Sequence, residues 1–437
     1  MKKPVRDGRT ISADKVKRFD FAKKPKRANR PIVWVAKNVA AFPYMRSHDF
    51  KLTKVNMDGV KPPYLLLCNH GSFVDFYVLF EAIRPYDPNC VVAIDAVRDI
   101  GMPVMGLTGY ICKRKFVKDL HLIRNLKYVT EKLRNIACIY PEARYSLDGT
   151  TSFLPESLGK MCKLLKVPVV TLIARGNFVA QPQWNKEDKF IPQEATLTQV
   201  ATAEEVKALS AAELNERIRK AFVYDDFAYQ KERGYRIDNP RRANGLHHIL
   251  YQCPHCLTEF EMYSEGTTLE CRHCGKKWEM TELGELEAHG GKTEFSHIPD
   301  WFAWERENVR REVRSGVYRF DAEVDVHTLP NATFFYAQGK GTLHQDCNGT
   351  TLSCTYHGEP LTQHWDGTEL ESVHVEYDYP YKKEKYKLDF GDCIDISIPE
   401  ESFWLHPIGM RDQLTKFSFA TEEIYALAKE KVKGKDA

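Results

Sequence analysis

The stretch LLLCNHGSFVDFYVLF, residues 65–80, runs from an apolar, strand-like segment through a polar corner into an apolar, helix-like segment. The corner holds Asn69, His70 and Asp75. A strand that turns directly into a helix is the unit from which α/β domains are built. Open α/β sheets bind their ligands at the carboxyl ends of strands. The corner is therefore the first candidate for a functional site.

Apolar runs of strand length recur between residues 60 and 180 and alternate with helical patterns. They are rich in Val and Ile and apolar on both faces, which is typical of strands covered on both sides. Residues 119–133 place an apolar stripe at helical spacing between two of these runs. The pattern predicts an α/β fold, a mixed sheet covered by helices. The runs are YLLLC (64–68), CVVAIDA (90–96), GYICKR (109–114), IACIYPE (136–142) and VPVVTLIA (167–174).

Four of the twelve cysteines form two CxxC pairs, YQCPHC and LECRHC. Two such pairs at this spacing complete a tetrahedral zinc site with no open position, so we expect structural zinc in a zinc ribbon. A redox role is the less favoured interpretation, and His255 and His273 are expected at the surface. The other eight cysteines lack regular spacing, which suits reduced thiols. The predicted ligands are Cys253, Cys256, Cys271 and Cys274.

The N-terminal 30 residues carry twelve Lys or Arg and three Asp, although the whole chain has a net charge of only +3. Such a tail is either a solvated leader or a contact with anionic lipid. The next apolar stretch, within residues 30–45, is shorter than the roughly 20 residues that span a bilayer. We expect it to form a helix lying in the membrane interface or packing on the protein's own core. Its apolar and amphipathic positions are Ile32, Trp34, Val35, Val39, Phe42 and Tyr44.

The chain of 437 residues is longer than one hydrophobic core usually organises, so we expect more than one domain. Changes in composition along the chain indicate where its segments begin and end. The sequence lacks a signal peptide and any stretch of transmembrane length, so we expect a cytoplasmic protein associated peripherally with the inner face of the membrane. Short alternating strands and a final helix suggest a β-rich C-terminal domain, on pattern alone of the pleckstrin-homology kind. The predicted segments are a basic tail (1–30), an α/β domain with an N-terminal interfacial helix (31–245), a zinc ribbon (246–282), a linker or helical segment (283–316) and the β-rich domain with its C-terminal helix (317–437).

His70 and Asp75 are the residue types of a general base and the carboxylate that orients it. Such a carboxylate fixes the imidazole tautomer and stabilises the imidazolium that forms when the ring takes a proton. A turn between strand and helix can bring two residues five positions apart together. Among 15 histidines, His70 alone has Asp five residues later, and it also stands at the end of an apolar strand. Because about one such pair is expected by chance, the strand-end position carries the prediction.

The segment NHGSFVD (69–75) resembles the first block of the glycerolipid acyltransferases, the 1-acyl-glycerol-3-phosphate (lysophosphatidate) acyltransferases and their relatives, whose signature is His, four residues, Asp. Three later segments resemble the family's next blocks in order, and the resemblance covers about residues 30–240. Arg114 falls on the arginine of the second block, and Glu142 falls on the glutamate of the third, Phe-Pro-Glu-Gly-Thr-Arg-Ser. The later segments are GYICKRK (109–115), IYPEARYS (139–146) and VPVVTLIARG (167–176).

The resemblance implies that His70 deprotonates a hydroxyl as it attacks an acyl thioester, while Asp75 orients the imidazole. The third block departs from the family pattern, because Ala143 replaces its glycine and Tyr145 occupies its arginine position. The implied role of arginine is to hold the acceptor's phosphate, which its planar fork matches. The residues expected to bind the acceptor are Asn69, Arg114, Glu142 and Arg144.

We therefore expect transfer of a fatty acyl group from acyl-CoA or acyl carrier protein to lysophosphatidate, giving phosphatidate, at a membrane surface. Another acceptor hydroxyl and a catalytically inactive lipid-binding scaffold are the alternatives. A nucleic-acid-binding zinc-ribbon protein is least favoured, because residues 248–282 are not notably basic, and no nucleic acid is expected as a partner. The basic cluster suited to coenzyme A diphosphate or an acidic carrier protein is Lys113, Arg114, Lys115 and Lys118.

Overall fold

The first sheet has seven strands in the order β1-β7-β6-β2-β5-β3-β4. The structure is a computed structural model that describes residues 16–384 and 387–435, so residues 1–15 of the predicted basic tail lie outside the described residues. All paired strands in this sheet are parallel except β6 and β7. The predicted mixed α/β sheet is confirmed. The strands are β1 Lys51–Val55, β2 Leu65–Cys68, β3 Asn89–Ala93, β4 Ile111–Lys113, β5 Ala137–Ile139, β6 Val169–Arg175 and β7 Glu194–Ala201.

Helices cover this sheet and connect its strands, as the apolar stripes predict. Two of them, α9 and α10, begin with capping boxes at Thr202 and Ser210. The prediction of a strand over 90–96 is wrong in its second half, because α4 begins at Ile94. An apolar run alone does not distinguish a buried strand from a buried helix. The helices are α1 Arg30–Val35, α2 Phe42–Ser47, α3 Asp75–Ala82, α4 Ile94–Ile100, α5 Met102–Thr108, α6 Leu120–Tyr128, α7 Leu158–Leu165, α8 Asn177–Ala180, α9 Ala203–Ala208, α10 Ala211–Ala221 and α11 Asp226–Arg233.

Residues 30–47 form one helical run, in which a π-helical segment, Ala36–Ala41, joins α1 to α2. The side chain of Asn29 caps its start by accepting a hydrogen bond from the backbone N–H of Ile32 at 3.3 Å. One face is buried and the other exposes large apolar side chains. No helix in the described ranges is both long enough and apolar enough to cross a membrane. The exposed members are Ile32, Trp34, Val35, Val39 and Phe42.

The segment with the four cysteines forms a small antiparallel sheet in the order β11-β10-β9-β8. The helix α12, Ile298–Ser315, follows in the predicted linker or helical segment. Its Trp301 packs edge-on against Trp278 of β10, with ring centroids 5.0 Å apart. The strands are β8 Met262–Glu265, β9 Thr268–Cys271, β10 Lys277–Met280 and β11 Leu286–Ala288.

The C-terminal region is β-rich, as predicted, and its seven antiparallel strands lie in the order β15-β14-β13-β12-β18-β17-β16. A last helix, α13 Leu414–Lys435, packs against α12 and this sheet. The pleckstrin-homology likeness stays a prediction. The strands are β12 Arg319–Thr328, β13 Tyr336–Asp346, β14 Gly349–Tyr356, β15 Glu359–Asp366, β16 His374–Glu384, β17 Lys387–Ser397 and β18 Ser402–Pro407.

Candidate active site

His70 and Asp75 meet at the carboxyl end of β2, a central strand of the first sheet. His70 lies in the turn after β2, and Asp75 is the first residue of α3. The backbone N–H of Ser146 donates to the carbonyl of His70 at 2.8 Å and holds the turn. Gly71 suits the turn because a Cβ there would lie 3.1 Å from the Cβ of Phe178. The sheet and its neighbours therefore fix the position of the histidine.

The two side chains form a hydrogen-bonded pair, with Nδ1 of His70 2.7 Å from Oδ2 of Asp75. The same oxygen accepts from the backbone N–H groups of Gly71 and Ser72, at 2.8 and 3.1 Å. Oδ1 of Asp75 accepts from the side-chain amide of Asn177 at 2.8 Å. The backbone and Asn177 donors hold the Asp75 carboxylate in place, and this carboxylate accepts a hydrogen bond from Nδ1–H of His70. Because the proton of the neutral imidazole is on Nδ1, Nε2 is the nitrogen that can accept a proton.

Two tyrosine rings flank the imidazole of His70. The ring centroids of Tyr140 and Tyr145 lie 4.4 and 4.2 Å from that of the histidine. Burial raises the pKa of Tyr145 well above its ordinary value, so the side chain stays a neutral phenol. Tyr145 stands where the family resemblance has arginine, and its packing role could not be inferred from that position.

Glu142 is fully buried behind the His70 turn, and protein groups occupy both of its oxygens. Its carboxylate accepts from the backbone N–H of His70 at 3.2 Å and from that of Ser152 at 2.8 Å. The hydroxyls of Ser152 and Tyr224 donate to it as well. Burial raises the pKa of Glu142, against the opposing effect of these hydrogen bonds. Glu142 is thus bonded to the turn that carries the histidine.

Asn69 is also buried and also bonded to the protein itself. Its side-chain amide donates to the carbonyl of Ala174 at 2.8 Å, and its carbonyl oxygen accepts from the N–H of Ala174 at 2.8 Å. This closed pair of hydrogen bonds ties the end of β2 to the end of β6. The acceptor-binding role predicted for Asn69 would require its side-chain N–H and carbonyl groups, which these bonds to Ala174 already occupy.

Arg114 borders the large cavity beside His70 and faces the C-terminal region. Its guanidinium is within 3.4–3.5 Å of the carbonyl oxygens of Leu329, Pro330 and Pro399. It also lies 4.7 Å from the ring centroid of Phe21. Burial lowers the pKa of Arg114, although Glu401 opposes this effect.

Arg144 also borders the cavity, but a buried ion pair occupies its guanidinium. Nη2 lies 2.7 Å from Oε1 of Glu422 on α13. Nη1 donates to the hydroxyl of Ser418 at 2.8 Å and to the carbonyl of Val373 at 3.3 Å. Oε2 of Glu422 pairs with Arg306 of α12 at 2.7 Å. Arg144 therefore joins the first sheet's region to the C-terminal helices.

Lys115 of the predicted basic cluster makes a comparable connection to the C-terminal sheet. Its ammonium lies 3.0 Å from a carboxylate oxygen of Asp95, 3.3 Å from one of Asp395 and 3.2 Å from Nδ1 of His374. Burial alone would lower the pKa of Lys115, but the two carboxylates outweigh it and raise the pKa above its ordinary value. Lys115 therefore stays cationic and paired.

A cavity of about 1810 Å³ opens beside His70. Its walls come from the first sheet's region and from the C-terminal region, across the predicted boundary at residue 245. Sequence reasoning missed this second wall, because its residues lie more than 200 positions from His70 and carry no local motif. The wall includes Trp365, Leu370, His374 and Ile398, while Phe73 and Phe76 contribute apolar surface near the histidine.

The four predicted cysteine ligands come together in one cluster, with all four sulfurs within 4.8 Å of one another. Sγ of Cys253 lies 3.8 Å from that of Cys274, and Sγ of Cys256 lies 3.7 Å from that of Cys271. Tetrahedral zinc with Zn–S bonds of about 2.3 Å requires sulfurs about 3.8 Å apart. Gly275, at φ +76°, supplies the left-handed turn after the second pair. The cluster fits a metal ion such as zinc.

Comparison with known proteins finds distant structural likeness among solved structures. No family model matches the chain, and no curated protein matches it. The chain is similar to the crystal structure of the 1-acyl-sn-glycerophosphate (LPA) acyltransferase PlsC from Thermotoga maritima, with 15% sequence identity over 44% of this chain and 80% of that chain. The TM-score of 0.31 is too low to carry an argument about either fold or function. Any function therefore rests on the site itself.

Proposed function

We propose that this protein transfers a fatty acyl group from an acyl thioester to the hydroxyl of a lysophospholipid, with 1-acyl-glycerol-3-phosphate as acceptor and phosphatidate as product. The observation that carries the proposal is the 2.7 Å pair of His70 and Asp75 at the wall of a large cavity. The cavity volume of about 1810 Å³ exceeds the roughly 300–1,000 Å³ of common ligand pockets. Such a volume suits long acyl chains.

In the proposed reaction, Nε2 of His70 takes the proton of the acceptor hydroxyl as its oxygen attacks the thioester carbonyl carbon. Asp75 stabilises the imidazolium formed in this step. The tetrahedral intermediate then collapses as its carbon–sulfur bond breaks. The leaving thiolate takes the proton from the imidazolium, so His70 returns to its starting form. The acyl group passes directly from sulfur to oxygen without an acyl-enzyme.

The contacts of Asn69 and Glu142 support positioning roles for them in place of the predicted acceptor binding. Asn69 bonds to Ala174 of the neighbouring strand β6, and Glu142 accepts from the backbone N–H of His70 itself. The Tyr140 and Tyr145 rings both pack against the imidazole and restrict its movement. We propose that these four residues keep Nε2 directed at the acceptor hydroxyl.

A second acceptor class is favoured by one observation, the ion pair between Arg144 and Glu422. A guanidinium neutralised by a buried carboxylate is less able to hold a phosphate dianion. On this alternative, the acceptor is a different lipid hydroxyl whose headgroup has no phosphate monoester. The chemistry at His70 is the same for both acceptors.

The donor and the membrane contact belong to the same proposal. Either acyl-CoA or acyl carrier protein suits the basic cluster, of which Lys118 is exposed. The exposed apolar face of residues 30–47 supports peripheral association with a lipid surface. We further propose that the four-cysteine cluster holds structural zinc.

Transfer of labelled acyl groups tests the function. The full chain is assayed with acyl-CoA and with acyl carrier protein, against lysophosphatidate, other lysophospholipids and monoacylglycerol. We expect transfer to lysophosphatidate and a loss of about 10²–10⁴-fold in His70→Ala. His289→Ala, which removes an exposed histidine, is the matched control and should retain activity.

Four outcomes separate the alternatives. Activity near the wild-type level in His70→Ala would eliminate His70 as the base. Preference for monoacylglycerol over lysophosphatidate would select the second acceptor class. Lipid binding without transfer to any acceptor would favour the inactive scaffold, and salt-dependent binding of RNA or DNA would favour the least expected alternative.

A further inference from the structure

A second group of metal-ligating side chains lies between the ribbon segment and the C-terminal region. His247 and His248 belong to a short 3₁₀ turn, Leu246–His248, and Asp412 lies just before α13. One ligand atom from each of the three lies within 4.8 Å of the other two. Oδ1 of Asp412 is 2.6 Å from Nδ1 of His248 and 3.7 Å from Nε2 of His247. Three ligand atoms thus converge from two distant parts of the chain.

We propose that His247, His248 and Asp412 bind one divalent transition metal ion, with zinc as the ion that suits them. Two imidazoles and one carboxylate form a familiar three-ligand zinc set, to which water adds a fourth ligand. Zinc at about 2.0–2.1 Å from N and O ligands separates those atoms by roughly 3.3 Å in a tetrahedron. The observed separations of 2.6 and 3.7 Å lie on either side of that value.

Neighbouring groups orient the ligands in the manner of an outer coordination shell. The hydroxyl of Ser264 lies 2.7 Å from Nδ1 of His247, which directs Nε2 towards Asp412. The backbone N–H of Ser264 also donates to Nδ1 of His247, at 3.2 Å, so two contacts fix the orientation of this ring. The backbone N–H of Asp412 donates to Oδ2 of Asp392 at 3.1 Å and fixes the loop. Asp412 adopts φ +59°, an uncommon backbone conformation outside glycine.

Local charge favours a cation at this position. Asp392 and Asp378 add two carboxylates to that of Asp412, and Oδ2 of Asp378 lies 3.4 Å from Nε2 of His248. Asp378 therefore approaches Nε2 of His248, whereas Nδ1 is the nitrogen proposed to bind the metal. Carboxylates gathered in a partly buried site repel one another, and a divalent ion reduces that repulsion. The ion would connect the segment before the ribbon to the C-terminal region.

The alternative is an ion-paired histidine without metal, in which His248 is an imidazolium between Asp378 and Asp412. Metal content of the full chain, purified from zinc-supplemented cells without chelator, separates the two. We expect two zinc ions per chain, one in the cysteine cluster and one here. His247→Gln and Asp412→Asn should each reduce the content to one. One zinc ion in the wild type, or two in both variants, would overturn the proposal.

The matched control is His344→Gln. His344 also lies 2.8 Å from an aspartate, Asp321, but it is not part of either metal-ligating cluster. This variant should retain two zinc ions. Circular dichroism checks that each variant folds. If Asp412→Asn does not fold, the zinc content of His247→Gln still tests the proposal.

Cobalt substitution assigns each equivalent to its site. Cobalt bound by four cysteines gives intense thiolate-to-metal absorption in the near ultraviolet, whereas a site of two histidines and one aspartate lacks thiolate bands. We expect Cys274→Ser to weaken the thiolate bands and His247→Gln to remove only the weaker visible absorption of the second ion. Binding of the second equivalent with unchanged spectra in His247→Gln would contradict the assignment.

Discussion

At the scale of single residues, the carboxylate of Asp75 determines which nitrogen of His70 can act as a base. Replacing Asp75 by Asn keeps the size of the side chain but removes the charge that stabilises the imidazolium. We expect Asp75→Asn to lower kcat by about 10²–10⁴-fold while KM changes little. Steady-state acyl transfer from the thioester measures both constants.

Asp225→Asn is the matched control for Asp75→Asn. Asp225 also holds a histidine, with Oδ2 2.8 Å from Nε2 of His297, but neither residue borders the cavity. The control should lose some stability, since Asp225 caps α11, and retain kcat. Equal losses of kcat in both variants would show that the effect of Asp75 comes from general destabilisation.

The same residue scale separates what the sequence could predict from what it could not. His70 and Asp75 are five positions apart, so local geometry and the end of an apolar strand sufficed to pair them. Glu142 bonds to Tyr224, 82 positions away, and Arg144 bonds to Ser418, 274 positions away. Their contacts depend on how distant segments pack, for which the sequence has no local signal.

At the scale of secondary-structure elements, the helical run of residues 30–47 has two apolar faces. Val33 and Met45 are buried on one face, whereas Trp34 and Val39 are 63% and 68% exposed on the other. Periodicity predicted a helix but could not choose between membrane contact and core packing. The structure shows that this run packs on the core and still leaves an apolar face exposed.

A charge on the exposed face tests membrane contact. Val39→Glu should fold normally, because the side chain of Val39 is largely exposed in the folded protein. We expect its partition onto vesicles containing anionic lipid to fall by at least about tenfold, since burial of a valine contributes about 1.5–3 kcal/mol and about 1.4 kcal/mol is a factor of ten. Vesicle co-sedimentation measures this partition. Val223→Glu alters another exposed valine, outside residues 30–47, and an equal loss there would argue against a specific interfacial helix.

At the scale of the whole molecule, Glu422 joins the first sheet's region to α12 through Arg144 and Arg306. Removing one partner from a buried ion pair leaves the other charge uncompensated, at a cost of about 3–5 kcal/mol. We therefore expect Glu422→Gln to lower the free energy of unfolding by about that amount, measured by denaturant titration. Glu430→Gln removes an exposed pair with Arg314 between the same helices and should cost at most about 1 kcal/mol.

Lowering the pH should reduce the stability that Glu422→Gln loses relative to the wild type. Burial alone would raise the pKa of Glu422, but Arg144 and Arg306 outweigh it and hold the pKa below the ordinary value of 4.5. A depressed pKa contributes stability that is complete above 4.5 and is lost as pH falls through the folded-state value. The stability difference between wild type and Glu422→Gln should therefore shrink in acid. A difference that grows below pH 4.5 would contradict the ion pair.

Metal removal tests how far the cysteine cluster supports the rest of the molecule. Zinc that binds only the folded ribbon stabilises it, so a strong chelator should lower the melting temperature. Trp278 and Trp301 are fully buried next to the cluster, so their fluorescence should shift to longer wavelength as the ribbon opens. Cys271→Ser should reproduce both effects without chelator, whereas Cys354→Ser, outside the cluster, should not.

Because one buried apolar core extends from Phe178 through these tryptophans to the C-terminal sheet, loss of zinc should also reduce acyl transfer at His70. Unchanged transfer after the fluorescence shift would show that the ribbon opens independently of the cavity.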